Sequence, residues 1–460
     1  MKKYLIVALL ACMVSPAFAS GNFEISGYLK NETALRVESL SGDLQKFKNI
    51  FELAAQYTFN PDLVFFFRGK YFYDAAYSLR DKLDIAQLYM DQPQRNTWLR
   101  DCYLDYTRGP WFLRMGKQQV AWGQSDGIAV LDRVNPVDLS EYWLPDIQDL
   151  RIPLWMANIN YAPRLNSNLQ VLFIPDFQQS TSAPIGAPFT TYAYTRYDRW
   201  RRQQKSVQEN IYLPGMTFEH STFAAQWQDR LGSINYTLNF LDGFYYSARN
   251  YTKFLSGNPF VPSTARWRVT RTFKRWRLYG SSINTTVTNP GPLQGITFRG
   301  DLAYYDDEPM YWGNPKTGSS SGIKRQDNIF WVMGIDRFFF TKWLASFQFG
   351  QYILQHSKPN ATTSASNFFM NPFTNGAQDP LENIFSLKLS ANFMHDRFKP
   401  EILWSFTDDN QGRVSPKLSY EIRDNLVAAI GVNYFYGNIL DSNGQYRDQS
   451  QFYTSLKYSF

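Results

Sequence analysis

Six acids lie within one stretch of the chain, "QSDGIAVLDRVNPVDLSEYWLPDIQDLR" at 124–151: Asp126, Asp132, Asp138, Glu141, Asp146 and Asp149, with Arg133 and Arg151 among them. Basic residues stand elsewhere at alternating positions of extended chain: Arg68, Lys70, Arg114, Arg299 and Arg413. Carboxylates facing cations across a narrow, low-dielectric opening create a transverse field that orders water and selects polar solutes. That is filtering chemistry rather than bond-making chemistry. Covalent chemistry has little to draw on. The histidines are His220, His356 and His395, and no Ser/His or Asp/His constellation follows one strand rim. There is no metal-ligand cluster or glycine-rich phosphate loop. The reading is therefore no catalytic residues, no metal and no cofactor.

Such a filter needs a wall, and two-residue periodicity supplies one. In "FEISGYLKNETALRV" Phe23, Ile25, Leu29, Thr33, Leu35 and Val37 share one face, while Glu24, Ser26, Lys30, Glu32 and Arg36 share the other. "LVFFFRGKYFYDA" repeats the pattern, with Phe65, Phe67, Tyr71 and Tyr73 opposite Arg68, Lys70 and Asp74. About eighteen such segments follow one another, joined alternately by short turns ("NPD", "TRGP", "RLGS", "HDR", "RDN") and by long loops at 75–96, 123–152, 176–221, 243–274, 306–327 and 355–382. This predicts an all-β fold, a transmembrane antiparallel β-barrel with short periplasmic turns and long extracellular loops. A soluble sandwich or propeller would not combine that rhythm with an apolar face on nearly every strand, and no repeat of fixed period is present. Composition agrees: mean hydropathy is only −0.40, yet 17% of residues are aromatic, with 37 Phe, 30 Tyr and 13 Trp. Lipid-facing strands and interfacial girdles need that mixture.

The N-terminal "MKKYLIVALLACMVSPAFAS" has basic, apolar and small-residue parts in the order of a secretory signal peptide, assigned to residues 1–19 with cleavage after Ala19. A lipoprotein-type site at Cys12 is the competing reading. Residues 20–460 are then a single barrel domain, with Cys102 its one cysteine. The last strand ends on Leu456, Tyr458 and Phe460, a pattern similar to the signal read by the barrel-assembly machinery.

A barrel of eighteen strands has a radius of roughly 15–20 Å, too wide for wall side chains to close. The expected pore lining is Arg68, Lys70, Arg114, Gln118, Arg299 and Asp301. The loop at 123–152 is expected to fold inward as a constriction, presenting Asp126, Asp132, Arg133 and Asp138. The net charge is +7, or +5 without Lys2 and Lys3. Its excess lies in "RYDRWRRQQK" and "RWRVTRTFKRWR", where Arg196, Arg199, Arg201, Arg202, Arg266 and Arg268 are read as contacts to lipopolysaccharide or to anionic solutes. Nucleic acid is a poor partner for an exported barrel.

The segment "LRDCYLDYTRGPWFLRMGKQQVAWGQSDGIAVLDRVNPVDLSEY" resembles the outer-membrane family called domain of unknown function 1302. The likeness rests on Asp101–Tyr103, Gly116–Gln118, Trp122–Gly123 and Asn135–Asp138, with Gln124 where an acid is usual. "FRGDLAYY" at 298–305 and "MGIDRFF" at 333–339 look similar to later family strands, and the Gly-Lys-Gln strand is distantly similar to alginate-export and porin-like barrels. The resemblance implies a porin-like outer-membrane channel whose cargo is unsettled. The reading carried forward is diffusion or partner-assisted passage of polar solutes, anionic ones as a candidate class. The alternative is an export conduit or sheath for hydrophobic or redox cargo, working with a periplasmic partner and suggested by inward Phe66, Phe72, Phe112 and Trp122. Homo-oligomerisation is left open.

Overall fold

A computed structural model describes residues 22–37, 43–79, 98–125, 127–258, 261–312, 322–340, 342–355 and 380–460. The proposed signal peptide and Asp126 lie outside them. Alternation sorts each strand's side chains onto two faces, and the structure uses both. Eighteen strands form one sheet in which each pairs antiparallel with its sequence neighbour among the barrel strands. The sheet closes on itself: Asn22–Arg36 pairs with Gln451–Ser459 in a register running from Tyr28↔Ser459 to Arg36↔Gln451. Gly27 and Phe460 complete the seam by exchanging backbone hydrogen bonds of 2.9 and 3.0 Å. Closure leaves no unpaired edge.

Phe23, Ile25, Leu29, Phe51, Tyr71, Leu238, Met333 and Leu456 stand exposed on the outer face, while polar side chains such as Gln118, Asn158, Asn239, Asp301 and Asn433 are buried within. Among the described residues, no helix is long and apolar enough to cross a membrane.

Strand boundaries differ from the sequence expectation where tertiary pairing intervenes. The strand expected over 111–122 stops at Gln118, where the chain turns into the barrel. Within the loop expected at 306–327, residues 306–312 and 322–327 instead extend the paired strands Ile296–Trp312 and Gly322–Phe339, of 17 and 18 residues. The long connections 176–221 and 243–274 also fold. Tyr192–Gln203 is a helix whose N-cap, Thr191, accepts from the Tyr194 N–H. Arg266–Thr272 is the middle strand of a small sheet, parallel to Ser206–Tyr212 and antiparallel to Arg249–Ser256. Tyr197, Trp200, Ala265, Trp267 and Val269 form its own buried core. It makes a cap at the long-loop end.

The closing seam has a testable weak point. A Cβ at Gly27 would lie 2.4 Å from the Glu52 carbonyl oxygen and 2.7 Å from the Phe460 ring. Gly27→Val is expected to deplete the heat-modifiable folded species on unboiled gels, and normal folding of that variant would contradict the seam geometry.

Candidate functional site

The first long connection after Gln118 does not leave the barrel. It folds across the lumen, and the wall is shaped to receive it. Gly123 turns at φ 98°, a conformation that suits glycine, and the next two backbone N–H groups point at a wall carboxylate. Asp301 accepts from Gln124 N at 2.9 Å, Ser125 N at 3.0 Å and the Ser125 hydroxyl at 2.6 Å. Arg299, two residues away on the same inner face, donates to the Gln124 carbonyl at 3.2 Å and pairs with Asp336 at 2.9 Å. Gln124 itself accepts from Asn284 at 3.2 Å. An amide can take that bond without placing a second negative charge beside Asp301.

Apolar packing reinforces this polar dock. Val130, Leu131 and Val134 have no exposed surface and lie in a cluster with Leu154, Leu172, Leu241, Trp276, Leu278, Tyr305 and Val332 of the wall. Gly280 leaves the space that Leu131 uses, since a Cβ there would be 2.2 Å from the Leu131 side chain. Full burial of each such side chain is worth about 1.5–3 kcal/mol. Partly exposed ion pairs contribute about 0–1 kcal/mol, so the apolar face and the Asp301 dock set where the loop sits. Asn135 ties its two ends together, accepting from Val120 N at 2.8 Å and donating to the Ile152 carbonyl at 2.9 Å.

The far end of the loop crosses to the opposite wall, where the surface is charged. Glu141 bridges Lys46 and Lys48, the latter at 2.6 Å. Asp149 pairs with Lys70 at 2.6 Å, and Arg100 donates to the carbonyls of Gln148 and Arg151 at 2.7 and 2.6 Å. Beside these contacts lies a cavity of about 230 Å³. Its wall supplies the cations Lys30, Lys46, Lys48, Lys70, Arg100 and Lys417 against the acids Glu32 and Asp74, while the loop supplies Asp138, Glu141, Asp146 and Asp149. The loop thus brings carboxylates to a wall rich in ammonium groups. Burial alone would raise the Glu141 carboxyl, but Lys46 and Lys48 overcome it and hold the group well below the usual carboxylate range. Burial opposes ionisation of Asp149 too, and Lys70 again lowers it.

The residues singled out in the sequence therefore divide. Lys70 and Asp138 line the cavity. Arg68, Arg114, Gln118, Arg299 and Asp301 lie on the inner face outside the lining of this cavity. Arg68 is engaged by Asp101, Arg114 by both oxygens of Asp105 at 2.7 Å, and Gln118 is fully buried against the Met156 carbonyl and Asn158. Asp132 pairs with Arg151 at 2.7 Å, Arg133 donates to the Ala129 carbonyl, and Asp138 accepts from Ser140 and Thr181. Asp132 and Arg133 stabilise the loop's own shape, Asp138 joins it to the connection 176–221, and Glu141 and Asp149 reach the wall. On the cap, Arg199, Arg201, Arg202 and Arg266 are exposed. Arg268 is half-buried beside Gln208, and Arg196 is buried over the Tyr192 ring.

Lys46 and Lys48 were legible by the alternation that marked Arg68 and Lys70, since Phe47 and Phe51 face outward on their strand. Among the described residues, Asp306, Asp307 and Asp327 bring carboxylate oxygens within 4.8 Å of one another, but Arg277 and Arg325 already neutralise two of them.

A closed antiparallel barrel of this size, with an inward-folded loop after its fifth strand, has the fold of the outer-membrane porins. The chain belongs to the family described as "Protein of unknown function (DUF1302)", which it matches over residues 41–460. Among solved structures it is similar to Pseudomonas aeruginosa OccK3 (OpdO), at 10% identity over 95% of this chain and 96% of that one, with a TM-score of 0.51. It is also similar to P. aeruginosa OpdK with vanillate, at 8% identity over 96% and 99%, TM-score 0.50. The outer membrane channel DcaP of Acinetobacter baumannii matches at 9% identity over 96% and 98%, TM-score 0.41. No protein of curated function matches significantly.

Two outcomes test the dock. Asp301→Ala removes a charged acceptor, and hydrogen bonds to charged groups are worth about 1.5–3 kcal/mol each. A Leu131→Cys reporter, unreactive in the parent, should become open to thiol reagents when Asp301 is lost. Acid should have a related effect at the other end of the loop. Because Glu141 and Asp149 are depressed in the docked state, their contribution is complete above the ordinary carboxylate range near pH 4 and fades as pH falls toward their docked values. Proteolysis within 139–150 should therefore rise on acidification, less so in Glu141→Gln.

Proposed function

We propose that this protein is an integral outer-membrane channel that passes small polar solutes, anions preferentially, along the side of the lumen its inward loop leaves open. The observation that carries the reading is the cavity between loop and wall, where six wall cations face two wall acids and four acids of the loop, so that the wall itself is cationic. Lumen-facing ammonium groups in a low-dielectric opening raise the local concentration of anions, and the loop carboxylates are tethered counter-ions with which a mobile anion competes. The porin fold supports a channel rather than an enzyme. The inward aromatics that suggested a conduit for greasy cargo are engaged in packing: Trp122 is buried and donates to Gln170 at 2.8 Å, Phe66 stacks on Tyr103, and Phe72 receives the Lys48 ammonium at 4.1 Å.

The membrane environment follows from the same reading. Leu456, Tyr458 and Phe460 lie exposed on the outer face, available to the assembly machinery before insertion and to lipid afterwards. Exposed Arg199, Arg201, Arg202 and Arg266 stand where anionic lipopolysaccharide would meet the cap.

Planar-bilayer recording tests the proposal. The parent should show ohmic conductance with a reversal potential favouring chloride over potassium. Glu141→Gln with Asp149→Asn should raise both conductance and chloride preference, by about two- to fivefold if removing two tethered charges lowers the local barrier by about 0.5–1 kcal/mol. Lys46→Gln with Lys48→Gln should move selectivity the other way. A silent bilayer, or selectivity indifferent to all four residues, would overturn the reading.

A further inference from the structure

The cap carries a surface that neither its own core nor the lumen explains. After Ser206–Tyr212 the chain descends to the barrel rim through "IYLPGMTF". Five large apolar side chains there are largely bare: Ile211 at 53%, Tyr212 at 61%, Leu213 at 60%, Met216 at 69% and Phe218 at 74% exposed. So dense a run of exposed apolar residues marks an interaction surface. A loop in water gains nothing from it.

Its position identifies the occupant. The Phe218 ring lies 6.1 Å from Phe173 and 5.5 Å from Phe223, and those two rings are 5.3 Å apart. Phe173 and Phe223 are register partners on neighbouring barrel strands. Both face outward, because Leu172, Ile174 and Ala224, which alternate with them, belong to the lumenal cluster. Phe218 therefore continues the outer apolar surface of the barrel past its rim. A short 3-10 turn, Phe218–His220, fixes the return, with the Thr217 hydroxyl accepting from His220 N at 3.3 Å. Arg275, paired with Asp242 at 2.6 Å on the rim, donates to the Glu219 carbonyl at 3.0 Å and pins the base of the segment.

We propose that Ile211–Phe218 is a membrane lip, lying over the leaflet at the long-loop end and burying its apolar side chains at the headgroup–acyl boundary. This rests on the barrel being embedded in a membrane. What covers these side chains is then lipid, because the patch is continuous with the surface that already faces lipid. Aromatic and aliphatic side chains are favoured at that depth. The lip also gives the cap a second attachment to its surroundings, beyond the two strands that enter and leave the wall.

Spin labels at Leu213→Cys and Met216→Cys, in a Cys102→Ser background, report the environment directly in vesicles of phosphatidylethanolamine with phosphatidylglycerol. Val171→Cys on the outer wall and Leu165→Cys in a short turn supply the lipid and water references. The oxygen-to-nickel-chelate accessibility ratio at 213 and 216 is expected to approach that at 171 and to exceed that at 165 several-fold. A water-like ratio at the lip with a lipid-like value at 171 overturns the lip and leaves the barrel reading intact. A water-like value at 171 as well removes the barrel reading itself. Labels shielded from both reagents mean that a second copy or another segment of this chain covers the patch, and that also overturns the proposal.

Discussion

Eighteen strands enclose more space than their inward side chains can fill, and the rest of the structure answers that constraint. A narrower barrel packs its interior with wall residues alone. Here the sheet must borrow a segment of chain, and the borrowed segment must be satisfied on both of its faces. Asp301 meets this demand for the backbone: its carboxylate takes two N–H groups and a hydroxyl that would otherwise be left unpaired on entering the barrel. Leaving a buried N–H unpaired costs about 1–3 kcal/mol, so the dock decides whether entry is favourable. The aliphatic run Val130, Leu131 and Val134 then fills one side of the lumen, and what remains open is fixed by exclusion.

The residues on which the sequence resemblance rests acquire a common meaning in this arrangement. Trp122–Gly123, Asn135, Arg299, Asp301 and Asp336 lie far apart in sequence yet meet at the loop's point of entry. They hold a loop, and the charged groups of the cavity come from elsewhere: Lys30, Lys46 and Lys48 near the closing seam, and Glu141 beyond the docked segment. Anchoring and selection are thus carried by different residues. A chain of this fold could change its solute preference through the second set while leaving the first untouched.

The barrel was legible because alternation is a local property, and every strand with one apolar face announces it. All eighteen strands follow from that rule to within a few residues, apart from Ile296–Trp312 and Gly322–Phe339, which run on into the expected loop. The cap was not legible: its sheet joins Ser206–Tyr212, Arg249–Ser256 and Arg266–Thr272, and the parallel pair lies some sixty residues apart in sequence. The site was half legible. Alternation tells which side of the wall Arg114 or Gln118 faces, but not whether that side meets water, a neighbouring strand or a loop. Arg114 turned to Asp105 on the adjacent strand, and Gln118 was covered. Asp126 lies outside the described residues, and the loop acids that reach the wall are Glu141 and Asp149.

The central claim is that 119–125 and 128–135 are docked inside the barrel, held by Asp301, by Asn135 and by a buried aliphatic run. Amide hydrogen exchange on the lipid-reconstituted protein, read by mass spectrometry on peptides spanning those segments, tests it most directly. Exchange as slow as in the flanking wall strand Leu154–Arg164 is the expected result. Exchange as fast as in the turn at Leu165–Asn166 would show a segment open to water, and the lumen would then be shaped by something else.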